Sequence, residues 1–418
     1  MRHPVVRLRF VHPAALGALI LGLASGGCSF SPSGFINPDD LIPLMDDTPI
    51  SMPTSAERTL VYESPGLLAV FHGTTCAESN RSGEEIPLRI QEELVLPKEL
   101  DQGTVLLNGY RLRYLEDDHH VAGLGTAIGR ILIDKGVLRW EAGGVLSDHN
   151  FDDGYEWCYT YTVLAWNSLQ LQATVDHGDM KHAFRDVAWT HGTALLPVPG
   201  YLSNPAWTGL DEVAVLPRGF GTVWAEDDHH LLQFAYKHDS GEVYIQGERK
   251  YGNGTVAAPD TQAGNGFVSW ETTGFLKDDE QQRSHVVVDY VSGLGGRDVG
   301  LITPPFTVLP HEDAGIGCAS LAGGLHSEDF SVEAVPYEFA IPVLSGWDLA
   351  YVCGDEHVTE IGAWIPAWSW QPGTSSGGGT LRYTVASRLN DKDDFPDFYG
   401  RFQVKILGLR RITAPPRK

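Results

Sequence analysis

The chain has 418 residues, among them 47 glycines and 25 prolines, and a formal net charge of −24. An acidic chain repels phosphate backbones, which disfavours nucleic-acid binding and leaves calcium binding or plain solubility as readings of the charge. The length exceeds the usual single core and predicts two or three domains, and the Gly and Pro content, with few periodic Ala- or Leu-rich stretches, predicts short strands and many turns.

The first residues fall into three zones. Arg2, Arg7 and Arg9 make a positive start, Ala14 to Ala24 is an uncharged apolar run, and Ser25-Gly26-Gly27-Cys28 closes it with small residues. This is the layout of a secretory signal, and the apolar run is too short for a spanning helix of ~20 residues. The small residues before Cys28 resemble a bacterial lipobox, in which the cysteine is lipidated and becomes the new N-terminus. The match departs from that pattern at Ser25, where a large aliphatic residue is usual; the alternative is an ordinary cleaved signal. Residues 1–28 are thus expected to be a signal, and residues 29–58, rich in Ser, Pro, Asp and Gly, a tether. The expected location is extracytoplasmic, as an outer-membrane lipoprotein held to the membrane by its lipid alone.

Without Cys28, four cysteines remain: Cys76, Cys158, Cys318 and Cys353. An even number suits disulfides in an oxidising compartment, with three pairings open. Pairing Cys76 with Cys158 and Cys318 with Cys353 keeps each bond within one repeat.

Those repeats are the most informative feature inside the chain. Val105 to Val121 (VLLNGYRLRYLEDDHHV), Val215 to Leu231 (VLPRGFGTVWAEDDHHL) and Val343 to Val358 (VLSGWDLAYVCGDEHV) share one pattern. Aligned on Gly109, Gly219 and Gly346, each has an aromatic next, and Asp118, Asp228 and Asp355 coincide, as do His120, His230 and His357. A second half follows, with Leu146-Ser147-Asp148 matching Leu389-Asn390-Asp391, then a closing strand from Tyr159 or Phe402. Alternation of period two, as in Tyr110, Leu112 and Tyr114 against Arg111 and Arg113, predicts strands with one buried face. The expected fold is all-β, three tandem antiparallel β-sandwich modules at residues 59–186, 187–303 and 304–418.

The third copy carries an outside resemblance. Tyr337-Glu338-Phe339, Pro342-Val343, Trp347-Asp348-Leu349, His357-Val358 and Gly379-x-Leu381, with a closing alternating strand, resemble the H-type lectin domain over Phe339 to Leu409. That family is a six-stranded β-sandwich that binds sugars and commonly trimerises. The resemblance implies glycan or cell-envelope partners and a homo-oligomer, and no sugar-contacting residue of the family is carried over to this chain.

Three segments carry candidate chemistry. The Asp-His-His runs at Asp118 and Asp228 offer metal ligands, but their recurrence suits a fold-maintaining turn better than one active site. The run from Asp148 imitates the start of a calcium loop, with Asp148, Asn150 and Asp152 as oxygen ligands; its glycine comes one residue late and no bidentate Glu follows. In Trp364-Ile365-Pro366-Ala367-Trp368-Ser369-Trp370, Trp364, Trp368 and Trp370 share one strand face, either as a sugar-stacking platform or as sandwich core, and Pro366 favours an edge. No His-Glu-x-x-His, P-loop or dinucleotide fingerprint is present. The expectation is therefore a carbohydrate-binding protein of the envelope rather than an enzyme. Its alternatives are a structural surface lipoprotein and, behind that, a metal-dependent hydrolase.

Overall fold

The structure is a computed structural model that describes residues 50–79, 88–116, 119–148, 153–181, 198–207, 210, 213–224, 229–245, 248–251, 254–257, 266–278, 284–304, 307–308, 325–352, 356–373, 378–391 and 398–409. Apart from one 3-10 turn at Pro205–Trp207, its regular elements are all strands. They are β1 (Ser55–Ser64), β2 (Leu68–Ser79), β3 (Leu88–Val95), β4 (Gln102–Tyr114), β5 (Gly123–Asp134), β6 (Val137–Ser147), β7 (Tyr155–Trp166) and β8 (Thr174–Lys181). Next come β9 (Val198–Asn204), β10 (Val213–Trp224), β11 (Gln233–Ile245), β12 (Glu248–Tyr251), β13 (Gly254–Ala257), β14 (Gly266–Lys277), β15 (Ser284–Gly295) and β16 (Val299–Ile302). The last are β17 (Thr307–Val308), β18 (His326–Val335), β19 (Phe339–Tyr351), β20 (Glu360–Gln371), β21 (Gly379–Asn390) and β22 (Phe398–Leu409).

All pairing is antiparallel, and it repeats three times. In the first repeat β2-β7-β4 and β3-β6-β5 form two three-stranded layers; β8-β15-β10 with β9-β14-β11, and β16-β22-β19 with β18-β21-β20, do the same in the second and third. Each repeat is thus six-stranded. By pairing, the second repeat opens at β8 and the third at β16, ahead of the Val187 and Pro304 boundaries read from the sequence.

The repeats are not beads on a string. β4 pairs with β20, β10 with β5 and β19 with β11, five residue pairs at each seam, so every large sheet takes strands from two repeats. This pairing is cyclic and defines an approximate threefold axis. The seams end on the aligned glycines: Gly109 opposite Trp364, Gly219 opposite Ala127, Gly346 opposite Lys237. At Gly109, with φ of +140°, an added Cβ would stand 2.2 Å from Trp364 Cα, so only glycine permits that approach. Just before each glycine the ladder slips by a bulge, at Asn108, Arg218 and Ser345. Each of these buried polar side chains donates a hydrogen bond to the next strand: to Thr162 Oγ1 at 2.7 Å, to the Val291 carbonyl at 2.9 Å and to the Gln403 carbonyl at 3.2 Å.

The aromatics that follow the glycines meet on the axis. The ring centres of Tyr110, Phe220 and Trp347 lie 5.0, 5.1 and 4.8 Å apart, and all three side chains are buried. One apolar core runs through all three repeats, with a smaller cluster around Trp207 in the second. In the first repeat Trp157 donates to Thr126 Oγ1 at 3.0 Å and Trp140 to Tyr159 Oη at 3.0 Å. Cys76 and Cys158 face each other on β2 and β7 and form a disulfide. Cys28, Cys318 and Cys353 lie outside the described residues.

Candidate functional site

Among the described residues, an outer-face groove on the third repeat and the axis each gather polar side chains.

The groove lies over β18, β21 and β20. It has a volume of about 380 Å³ and is lined by Asp329, Phe330, Ser331, Ala367, Trp368, Ser369, Arg382, Tyr383 and Thr384. The cross-strand pairs Asp329↔Thr384 and Ser331↔Arg382, with Ala367↔Thr384 and Ser369↔Arg382, set the polar groups in one patch. Asp329 accepts a hydrogen bond from Thr384 Oγ1 at 2.5 Å. Strand alternation turns the other set inward: Trp368 and Tyr383 are buried, and Phe330 stacks on Tyr383 with ring centres 5.5 Å apart.

This corrects the expectation that Trp364, Trp368 and Trp370 share a face. The β20–β21 register slips between Trp364 and Ala367, at the Ile365-Pro366 step. One extra residue reverses the alternation. Ile361, Ala363 and Ile365 point to the core before the slip, and Trp368 does so after it, 7 % exposed and 6.2 Å from the Phe339 ring. Trp364 is half-buried on the other parity. Trp370 is half-buried and donates to the Glu338 carbonyl at 2.9 Å. β20 lies between β4 and β21, but its pairing with β4 ends at Trp364, so Pro366 occupies a stretch bulged on one side and unpaired on the other.

At the axis the three copies of the motif form a collar through residues 119–121, 229–231 and 356–358. His119 bridges to Val358, Val121 to His229, and Leu231 to Glu356. Each bridge has two main-chain hydrogen bonds, of 2.9 to 3.3 Å, six in all. In the first two copies, neighbouring side chains divide their work. The first histidine turns outward to an acid and an aromatic: His119 Nδ1 lies 2.9 Å from Asp153 Oδ2 and its ring 4.8 Å from Tyr114, while His229 Nδ1 lies 3.3 Å from Asp278 and its ring 5.0 Å from Trp224. The second histidine turns to the axis. His120, His230 and His357 have ring centres 4.4, 4.8 and 4.5 Å apart, and one nitrogen of each lies within 4.8 Å of the other two. All three are half-buried. The next residues, Val121, Leu231 and Val358, are fully buried. Tyr114 and Tyr351 donate to the His120 and His357 carbonyls, each at 3.2 Å, and fix the backbone there.

The proposed calcium ligands are only partly placed. Asp148 directly follows β6, buried, and its carboxylate gathers with His119 and Asp153, one ligand atom of each within 4.8 Å of the others. Asn150 and Asp152 lie outside the described residues, as do Asp118, Asp228 and Asp355. The groove residues Asp329, Ser331 and Arg382 were not legible as a site; the only signal was strict alternation in HSEDFSVEAV.

Comparison with protein-family models and with curated proteins finds no match.

Proposed function

We propose that the chain is an exported, lipid-tethered binding protein of the cell envelope, which takes carbohydrate in the groove over β18, β21 and β20. The groove carries this reading. It combines an exposed carboxylate (Asp329), an exposed guanidinium (Arg382) and the hydroxyls of Ser331, Ser369 and Thr384 with the aromatics Phe330, Trp368 and Tyr383. A sugar presents the complement: hydroxyls that both donate and accept, on an apolar C–H frame. The size suits a small ligand. Three six-stranded repeats closed about one axis also agree with a lectin-like module, here joined in one chain instead of three. The groove binds chiefly by hydrogen bonds, since Trp368 and Tyr383 are buried.

The test is a glycan array on the intact chain, followed by titration calorimetry of any hit. Arg382→Ala and Asp329→Ala change exposed residues and leave the fold within about 0.5 kcal/mol. Each is expected to weaken binding about tenfold or more, the loss of a charge-assisted hydrogen bond. No glycan bound, or binding indifferent to both variants, contradicts the proposal.

A further inference from the structure

The axial histidines have no part in the groove, and their arrangement asks for its own explanation. The collar is held by main-chain hydrogen bonds at residues 119, 121, 229, 231, 356 and 358. It therefore makes no demand on the side chains of the residues between. A purely structural position would suit an aliphatic group, like the buried Val121, Leu231 and Val358 one residue on. Instead each repeat supplies an imidazole. The residue before it varies, His119, His229 and then Glu356, so the chain tolerates a change at the outward position and keeps histidine at the inward one. Three imidazoles against one another repel when protonated and gain little from packing when neutral. What three converging imidazoles do well is share a cation that accepts nitrogen lone pairs.

We propose that His120, His230 and His357 bind one divalent transition-metal ion of the zinc, cobalt and nickel class. An all-nitrogen ligand set selects these ions over calcium and magnesium, which take oxygen. Metal–nitrogen bonds of about 2.0 Å place tetrahedral ligand atoms roughly 3.3 Å apart, so each nitrogen moves inward by less than about 1 Å from the 4.8 Å limit, within reach of side-chain rotation. Three protein ligands leave a fourth position open for water or a ligand anion. Because each ligand comes from a different repeat, the ion ties together three segments that are 110 or more residues apart in the chain. The second acid–histidine cluster, His119 with Asp148 and Asp153, is the rival site on the same collar.

Chelator-treated full-length chain titrated with Co²⁺ tests this directly by absorption. The expected result is one Co²⁺ per chain with the intense visible bands of a tetrahedral nitrogen-rich site, displaced by Zn²⁺. His120→Gln and His357→Gln should each weaken binding by more than roughly 100-fold, beyond the usual cost of losing an outer partner, while Asp153→Asn should leave it unchanged. Failure of wild-type chain to bind Co²⁺ at high micromolar concentration overturns the proposal, as does binding that survives His357→Gln or is lost in Asp153→Asn. Should a histidine variant fail to fold, X-ray absorption of the zinc-loaded wild type decides: three imidazoles support the assignment, and fewer than three overturn it. Glycan binding is read separately, so its failure leaves this result standing.

Discussion

A graded series of glycine substitutions probes the seams that close the three repeats on one another. Gly109, Gly219 and Gly346 occupy the same position in each copy, but the space beside them differs. A Cβ added at Gly109 meets Trp364 Cα at 2.2 Å and the Ala363 carbonyl oxygen at 2.4 Å, at a φ of +140°. At Gly219 it meets Ala127 Cα at 2.5 Å, and at Gly346 the Tyr236 carbonyl oxygen at 3.0 Å. Contact with backbone forces strands apart, at about 1–3 kcal/mol for overpacking. The positive φ at Gly109 adds roughly 1–3 kcal/mol, while alanine returns about 0.4–1 kcal/mol in every case by restricting the unfolded chain. Gly109→Ala is thus expected to cost about 2–5 kcal/mol, Gly219→Ala about 1–2, and Gly346→Ala between zero and about 1. Urea denaturation followed by tryptophan fluorescence measures the order. Equal effects at the three positions, or Gly346→Ala as the worst, would refute the seam geometry.

Three further outcomes follow from other contacts. Cys76–Cys158 closes a loop of 82 residues, so its removal by Cys76→Ser with Cys158→Ser should cost up to roughly 4.5 kcal/mol by chain entropy; an unchanged urea midpoint would contradict a formed bond. Burial holds the His72 imidazole down at about 4 and His177 at about 3, against an ordinary 6.5. The unfolded chain then binds protons that the folded one refuses. Stability is complete above about pH 6.5 and is lost as pH falls toward 4 and then 3, with His72 worth on the order of 3 kcal/mol; a His72→Asn variant should show a shallower acid slope, and an identical slope would count against the burial of His72. Trp368→Ala should cost about 3–5 kcal/mol as a core truncation and Trp364→Ala clearly less, which thermal melts would reverse if Trp368 stood on a surface platform.

Much of the fold was legible because its determinants are local. Period-two alternation in Tyr110, Leu112 and Tyr114 put those side chains inward and left Arg113 exposed, and repetition of whole segments reported three copies of one six-stranded unit. The Cys76–Cys158 pairing followed from the two cysteines lying in one repeat. What the sequence could not report was partner choice. Likeness among β4, β10 and β19 says that they play one role, but not that β4 pairs with a strand of the third repeat and β10 with one of the first; that is fixed by seam packing between residues distant in the chain. The parity of the tryptophan stripe failed for a related reason, since a one-residue bulge at Pro366 leaves no period in the sequence. Convergence of His120, His230 and His357 depends on the cyclic closure and was invisible without it.

Closure of three repeats into one body, with a histidine from each on the axis, is the claim on which the site rests. Residue-resolved amide hydrogen exchange of the metal-free chain tests it most directly. The amides of His119, Val121, His229, Leu231, Glu356 and Val358 each donate across a collar bridge, so all six should exchange slowly and together, with the protection of the core strands. Exchange of these six amides at the rate of exposed loops would contradict it and leave the repeats as separate modules.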